Sequence, residues 1–225
     1  MSKPVKMKKN VLVIGATGAT GKELVRLLLQ NENIGQIHLL HYRPTSMADG
    51  LRIIDHIWPF EKLSAFILED KIDIVFSCIG TTIKKAGSKS RFEEVDRDFV
   101  LALARWSKKR EVESFHVISY LGADRESSIF YNRVKGEMEE GVIQEHFKSC
   151  YIYHPPLLKA KRQEFRFGES LGNLFLSIFS PLMVGALAKY RPLSVRKMAK
   201  KMLEKGLSPA EGLHYVTSEE MHAVK

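Results

Sequence analysis

The chain has 225 residues, two cysteines and a formal net charge of +9; that length can bury a core as one unit, and such sparse cysteine usage excludes a disulfide framework and points to a reducing compartment, the cytoplasm by default. Its 35 Lys and Arg are interleaved with 26 Asp and Glu over the whole length and show no aromatic spacing of a base-stacking platform, which argues against nucleic acid and leaves an anionic cofactor or substrate to account for the excess charge. Gly and Pro are scattered, and no repeat or low-complexity tract marks a boundary, so residues 1–225 are expected to form one domain.

Residues 1–10 carry Lys3, Lys6, Lys8 and Lys9 without the apolar centre of a signal peptide and read as a flexible basic tail. Val11–Ile14 then reads as a buried parallel strand, Gly15, Gly18 and Gly21 follow at a spacing of three, and Lys22 to Leu29 show helical periodicity. A tight exit from a strand, a close backbone approach and a helix packed near the sheet are what a pyrophosphate site requires. The unpaired N–H groups and positive dipole end of the new helix would face the phosphates. This order of strand, glycines and helix, with Thr17, Ala19 and Thr20 in the turn, predicts dinucleotide binding.

Ile37–Tyr42 reads as the second strand, beside the first. Its end decides between cofactors: an acid there holds a free ribose 2′-OH, a basic residue a 2′-phosphate. This chain has Tyr42-Arg43-Pro44 and no acid, and the Arg43 guanidinium offers phosphate a forked, charged contact, so NADPH/NADP is expected over NAD. Leu51–Ile57 is the expected third strand, broken by Trp58-Pro59-Phe60. Ile72–Cys78 is the fourth, followed by Ile79-Gly80-Thr81-Thr82, where glycine permits close approach and either threonine can bond a ribose or phosphate. Arg91 to Arg110 reads as one long helix whose stripe of Phe92, Val95, Phe99, Leu103 and Trp106 is core.

Phe115–Ser119 is the fifth strand, and after a loop come Tyr131 and Lys135, four apart and therefore on one helix face. An ammonium close to the phenol favours the phenolate, so Tyr131 can exchange the proton that accompanies hydride transfer, with Ser119 holding the substrate oxygen. Leu171 to Ala188 is an uncharged run at the lower limit of a membrane span, but Gly172, Asn173, Ser177, Ser180, Pro181 and Gly185 interrupt it. It is expected to be a helix packed over the substrate pocket, with a weak membrane-surface or protein-binding patch as the lesser reading. Ser194 should cap a helix over Val195–Lys205 that Gly206 ends. His38 and His41 face opposite ways on their strand, and no ligand set has metal spacing.

Gly15, Gly18 and Gly21 with Tyr131-x-x-x-Lys135 resemble the short-chain dehydrogenase/reductase superfamily, in its atypical branch. Cys78-Ile-Gly-Thr-Thr82, Lys85-Ala-Gly-Ser88, Val95-Asp-Arg-Asp98, Gly122-Ala-Asp124, Val134-Lys-Gly-Glu137 and Arg162-Gln-Glu-x-Arg-x-Gly-Glu169 resemble, more narrowly, the Tat-interacting-protein-type oxidoreductases and their bacterial relatives. The resemblance runs from about residue 10 to residue 205 and implies a Rossmann sheet, NADPH and the Ser/Tyr/Lys roles above. Three departures stand out: Ser119-Tyr120 where such proteins have Ser-Ser, His154-Pro155-Pro156 where they have Arg-Pro-Gly, and Lys161 in place of an acid before Arg162.

The expected fold is thus α/β, a doubly wound parallel Rossmann sheet of order 3-2-1-4-5-6 with a small helical substrate-side region over residues 155–225. The expected catalytic residues are Tyr131, Lys135 and Ser119. The expected cofactor contacts are Gly15, Thr17, Gly18, Ala19, Thr20, Gly21, Tyr42, Arg43, Cys78, Ile79, Gly80, Thr81, Thr82, Tyr131, Lys135, Pro155, Leu157 and Arg162. The expected activity is reduction of a small carbonyl, or the reverse, by a monomer or homodimer. The rivals are a non-catalytic NADPH-binding regulator and an enzyme like the nucleotide-sugar epimerases and dehydratases.

Overall fold

The structure is a computed structural model that describes residues 8–44, 52–159 and 190–224. Arg162, the 171–188 run and the first seven residues of the basic tail lie outside the described residues. β1 (Lys9–Ile14) pairs in parallel with β2 (Ile34–His41) on one side and β4 (Ile74–Ser77) on the other. A strand so placed is covered on both faces and has to be apolar throughout, and Val11 to Ile14 are fully buried. Lys9 and Asn10, expected in the tail, already belong to β1: the Asn10 N–H donates to Asp73 Oδ2 at 2.8 Å, which fixes the start of the strand against the segment leading into β4.

With β3 (Ile53–Ile57), β5 (Ser114–Ile118), β6 (Ser149–Tyr153) and β9 (Gly212–Val216), the strands form one seven-stranded parallel sheet of order β3-β2-β1-β4-β5-β6-β9. The first six strands follow the expected order. The seventh has no counterpart in the sequence reading, because Leu213 and Tyr215 are about half exposed on an edge strand and Gly212-Leu-His-Tyr-Val carries neither a buried run nor clean alternation. The described part of the C-terminal region therefore completes the sheet. β7 (Leu158–Lys159) and β8 (Leu193–Ser194) form a separate two-residue ladder.

Helices cover both faces. On one, α1 (Ala19–Leu29) and the helix Val195–Leu207 pack over Val11, Val13, Ile74 and Phe76; on the other, α4 (Phe99–Lys109) and α5 (Phe130–Ile143) pack over Leu12, Ile14, Val75 and Phe115. The single long helix expected over Arg91–Arg110 is interrupted: α3 (Lys89–Glu93) passes into a π turn over Glu94–Asp98 before α4 begins. Four members of its stripe, Phe92, Phe99, Leu103 and Trp106, are buried as expected. Chain order reverses between β1 and β4, and a crevice opens beyond the carboxyl ends of strands at such a switch point.

Ser194 caps its helix by accepting the Lys197 N–H at 3.2 Å. Gly206 does not end it. The helix runs to Leu207, and Gly206 lies where a Cβ would stand 2.7 Å from Cζ of the fully buried Phe76. Alanine gains about 1 kcal/mol over glycine in a helix interior, but forcing an extra carbon into a packed core costs about 1–3 kcal/mol. Gly206→Ala should therefore lower stability, read as a lower urea midpoint at unchanged m-value; a higher midpoint would mean that the contact relaxes freely.

Candidate active site

The crevice at the switch point has two parts that meet at Ile79. The wide part, about 320 Å³, is lined by Gly15, Thr17, His41, Tyr42, Arg43, Phe60 and Arg91, with Leu40, Val95 and Phe99 behind them. Val95 and Phe99, expected as core alone, thus also form cleft wall. The narrow part, about 50 Å³, is lined by Cys78, Gly80, Thr81, Asp96, Ser119, Tyr120, Tyr131, Lys135, Pro155 and Pro156 among others. Residues far apart in sequence meet here because β1, β2, β4, β5 and β6 all end at the same edge.

Gly15 holds the floor together. Its φ is +80°, and a Cβ would lie 2.6 Å from the Cys78 carbonyl and the Ile79 nitrogen, so the turns after β1 and β4 touch where only glycine fits. Gly18 is the N-cap of α1 without a side-chain capping bond, and the first turn of α1 carries no acid. The amide groups there are left for a ligand, and the positive dipole end suits an anion. An elongated cleft with a narrow end, glycine floor and unblocked helix N-terminus fits a dinucleotide.

The remaining expected cofactor residues are placed unevenly. Gly18, Ala19, Thr20 and Gly21 form the start of α1 and its cap. Thr20 is buried, and its hydroxyl has no hydrogen-bond partner among the described residues. The Thr82 hydroxyl accepts the Lys85 N–H at 3.1 Å and so caps α2 (Ile83–Ala86). The Leu157 carbonyl accepts the Leu193 N–H at 2.9 Å in the small ladder.

In the narrow part the Lys135 ammonium lies 2.7 Å from Asp96 Oδ1, and Asp96 Oδ2 accepts the Thr81 backbone N–H at 2.7 Å. Tyr131, one helical turn before Lys135, packs against Phe92 at 5.2 Å and edge-on against Tyr120 at 5.2 Å between ring centres. Ser119 lines the pocket, but its hydroxyl donates to Glu139 Oε1, the same oxygen that lies 2.9 Å from His154 Nε2. With its proton engaged, Ser119 offers the pocket lone pairs. The sequence reading gave Arg91, Asp96 and Glu139 no role in the site, although Asp96 belongs to the quoted Val95-Asp-Arg-Asp98 motif. Asp96 had a signal, a polar residue inside an apolar stripe, and so had Glu139, which continues the spacing of Tyr131 and Lys135; Arg91 had none, since its place depends on a chain reversal.

The description "Semialdehyde dehydrogenase, NAD binding domain" matches residues 10–94. HTATIP2 from Rattus norvegicus is 32% identical over 207 residues, covering 91% of this chain and 84% of the rat protein. The chain belongs to the HTATIP2 family. Its fold also matches that of Bordetella bronchiseptica WbmH in complex with NAD+, with TM-score 0.69 and 13% identity over 94% of this chain and 76% of that one. Thermotoga maritima UDP-glucose 4-epimerase with UDP-glucose gives TM-score 0.66 and 16% identity over 92% and 76%. This HTATIP2-family chain thus has the NAD(P)-binding Rossmann fold.

Another relative corrects the expected compartment. Protein fmp52 of Aspergillus niger, 29% identical over 189 residues and covering 78% of each chain, is named mitochondrial, as is FMP52 of Debaryomyces hansenii. The cytoplasmic expectation rested on sparse cysteines, which speak against an oxidising compartment and do not choose among reducing ones.

Proposed function

We propose that this HTATIP2-family protein is an NADPH-dependent oxidoreductase of the short-chain dehydrogenase/reductase type, acting on a small carbonyl or the corresponding alcohol with Tyr131 as acid and base. The observation that carries the reading is the division of the cleft: Arg43 and Arg91 line its wide end, and Tyr131 and Lys135 its narrow end. Gly15 and the first turn of α1 would hold the pyrophosphate, Tyr42 and Arg43 the adenosine end, and the Cys78–Thr81 loop with Pro155 the opposite end. When bound, NADPH supplies the hydride.

The chain's own residues supply the proton. The Tyr131 hydroxyl donates it to the carbonyl oxygen, and the Lys135 ammonium, one helical turn on, stabilises the phenolate left behind. Ser119 accepts the hydroxyl of the alcohol form while its own proton stays with Glu139. Lining residues of low polarity, among them Ile79, Ile118 and Pro156, limit the water that competes for these bonds.

Titration calorimetry with NADPH and NADH tests the cofactor choice. NADPH should bind at least about tenfold more tightly, the size of one charged contact with a 2′-phosphate, and Arg43→Ala should remove most of that preference without weakening NADH. Equal affinities in the parent protein would overturn the assignment to NADPH.

A further inference from the structure

Reduction of a carbonyl consumes a proton as well as a hydride, so the Tyr131 phenolate has to be recharged in every cycle. A filled cleft limits water, and the proton then needs a path through the protein. The Lys135–Asp96 pair is only 4% and 1% exposed. A different row of residues leads outward. Tyr131, Lys135 and Glu139 follow one another at intervals of four on α5 and share a face. The Glu139 carboxylate accepts the Ser119 hydroxyl on Oε1, the oxygen that lies 2.9 Å from His154 Nε2. An ionised carboxylate has no proton to offer, so the imidazole is the donor in that contact. The Glu139 side chain is 10% exposed and that of His154 22%. The row runs from the wall of the narrow part, through a nearly buried carboxylate, to a ring that reaches solvent.

The ring is held in place. The His154 N–H donates to the Val216 carbonyl at 3.0 Å, and two prolines stiffen the chain that follows. Among the described residues, the titratable groups that face the ring are Glu139 from α5 and Tyr215 from β9, the latter at 5.2 Å between ring centres. Burial, followed by the charges of Glu139 and Cys150, raises the Tyr215 phenol. It stays neutral and leaves Glu139 as the proton acceptor for the imidazole.

We propose that His154 and Glu139 carry protons from solvent to Ser119 and so recharge Tyr131 between turnovers. The proposal rests on the oxidoreductase reading of the cleft. Neither residue touches the reacting atoms; both act through Ser119, which lines the narrow part together with Tyr131. The proton on His154 Nε2 passes to Glu139 Oε1, and a protonated carboxyl donates where it had accepted. The Ser119 hydroxyl then turns towards the cleft. The alcohol oxygen returns its proton to the Tyr131 phenolate and takes the one on Ser119, Ser119 takes the one on Glu139, and the imidazole reloads from solvent. Each N–H or O–H bond broken is matched by one formed, and the net change is one proton moved from solvent to Tyr131. An imidazole suits the outer position, because it is the side chain that changes charge between about pH 5 and pH 8.

Stopped-flow reduction of the best substrate from a panel of small aldehydes and ketones tests this, with NADPH absorbance reporting hydride transfer and a pH-indicator dye reporting proton uptake. His154→Gln keeps an N–H donor for Glu139 but carries no proton. Its first turnover should match the parent, because Tyr131 starts protonated, whereas later turnovers and proton uptake should slow about tenfold or more. Rising imidazole buffer should restore the later turnovers of His154→Gln and leave the parent unchanged. His154→Arg keeps a cation beside Glu139 that does not release its proton, and should be as slow as His154→Gln. Glu139→Gln breaks the row in the middle and should stay slow at every imidazole concentration; if it does not fold, the two variants of the partly exposed His154 decide the matter. NADPH affinity by calorimetry should stay within about twofold of the parent in both His154 variants. A slowed first turnover, a parent-like steady rate in His154→Gln, no rescue by imidazole, or parent-like turnover by His154→Arg would overturn the proposal. A parent protein that binds no NADPH, or reduces no member of the panel, would instead remove the reading beneath it.

Discussion

Tyr131→Phe should lower turnover by at least about 100-fold while leaving NADPH affinity within about twofold of the parent. The change removes one oxygen and keeps the ring, so the packing against Phe92 and Tyr120 survives. Only the proton that must accompany hydride transfer loses its source. Lys135→Ala should behave differently, damaging affinity as well as turnover, because it also leaves the Asp96 carboxylate buried without its partner, at a cost of about 3–5 kcal/mol to the fold. The measurement is NADPH oxidation against a panel of small aldehydes and ketones, with affinity determined separately by calorimetry. Turnover by Tyr131→Phe at the parent rate would assign the acid and base role to another group. Turnover by neither protein, with NADPH bound tightly by both, would favour the regulator over the enzyme.

Acidification should destabilise the fold well before the carboxylates titrate. His116 on β5 is buried, with Nε2 2.8 Å from Ser114 Oγ, Nδ1 2.9 Å from Tyr153 OH, and its ring stacked on Tyr151 at 4.7 Å. Burial lowers its pKa from 6.5 to about 3. Above pH 6.5 the ring is neutral in both folded and unfolded chains and proton linkage contributes nothing; below it, the unfolded chain takes up a proton that the folded one refuses. Stability is thus lost as pH falls from about 6.5 towards about 3, by about 1.4 kcal/mol per pH unit, or about 2 kcal/mol at pH 5. His38 and His56, in contact at 3.0 Å between β2 and β3, are also shifted down by burial and act in the same direction.

For a chain of this length, about 2 kcal/mol corresponds to a fall in Tm of roughly 4–8 °C between pH 7 and pH 5. His116→Gln should melt lower than the parent at pH 7, since it loses the stacking and one bonded nitrogen, yet the part of the pH slope due to His116 should disappear. Scanning calorimetry at both pH values, on parent and variant, separates the two effects. An unchanged slope in His116→Gln would assign the acid sensitivity to other groups.

The residues whose chemistry is local were legible from the sequence. Gly15, Gly18 and Gly21 announce a strand-to-helix turn because only that backbone needs glycine at those three places, and Tyr131 and Lys135 share a face because any helix puts them there. The buried runs of β1 and β4 are apolar because helices cover both their faces, which is why the order of the first six strands followed from pattern and connection rules.

Tertiary structure alone decided the rest, wherever a residue's role depends on a distant neighbour. Gly206 looks like a helix stop until Phe76 is seen beneath it. β9 joins the sheet through the exposed backbone edge of β6, and edge pairing leaves little hydrophobic pattern to read. Ser119 is a plausible substrate anchor in sequence, yet its proton goes to Glu139, twenty residues on and one helix away. Asp96 stands out in the sequence as an acid inside an apolar stripe, but only the π turn and the space above Gly80 bring it to Lys135. The local code specifies backbone shape and face; which charges meet inside is set by the packing of segments that the sequence keeps apart, and burial then gives those meetings their strength.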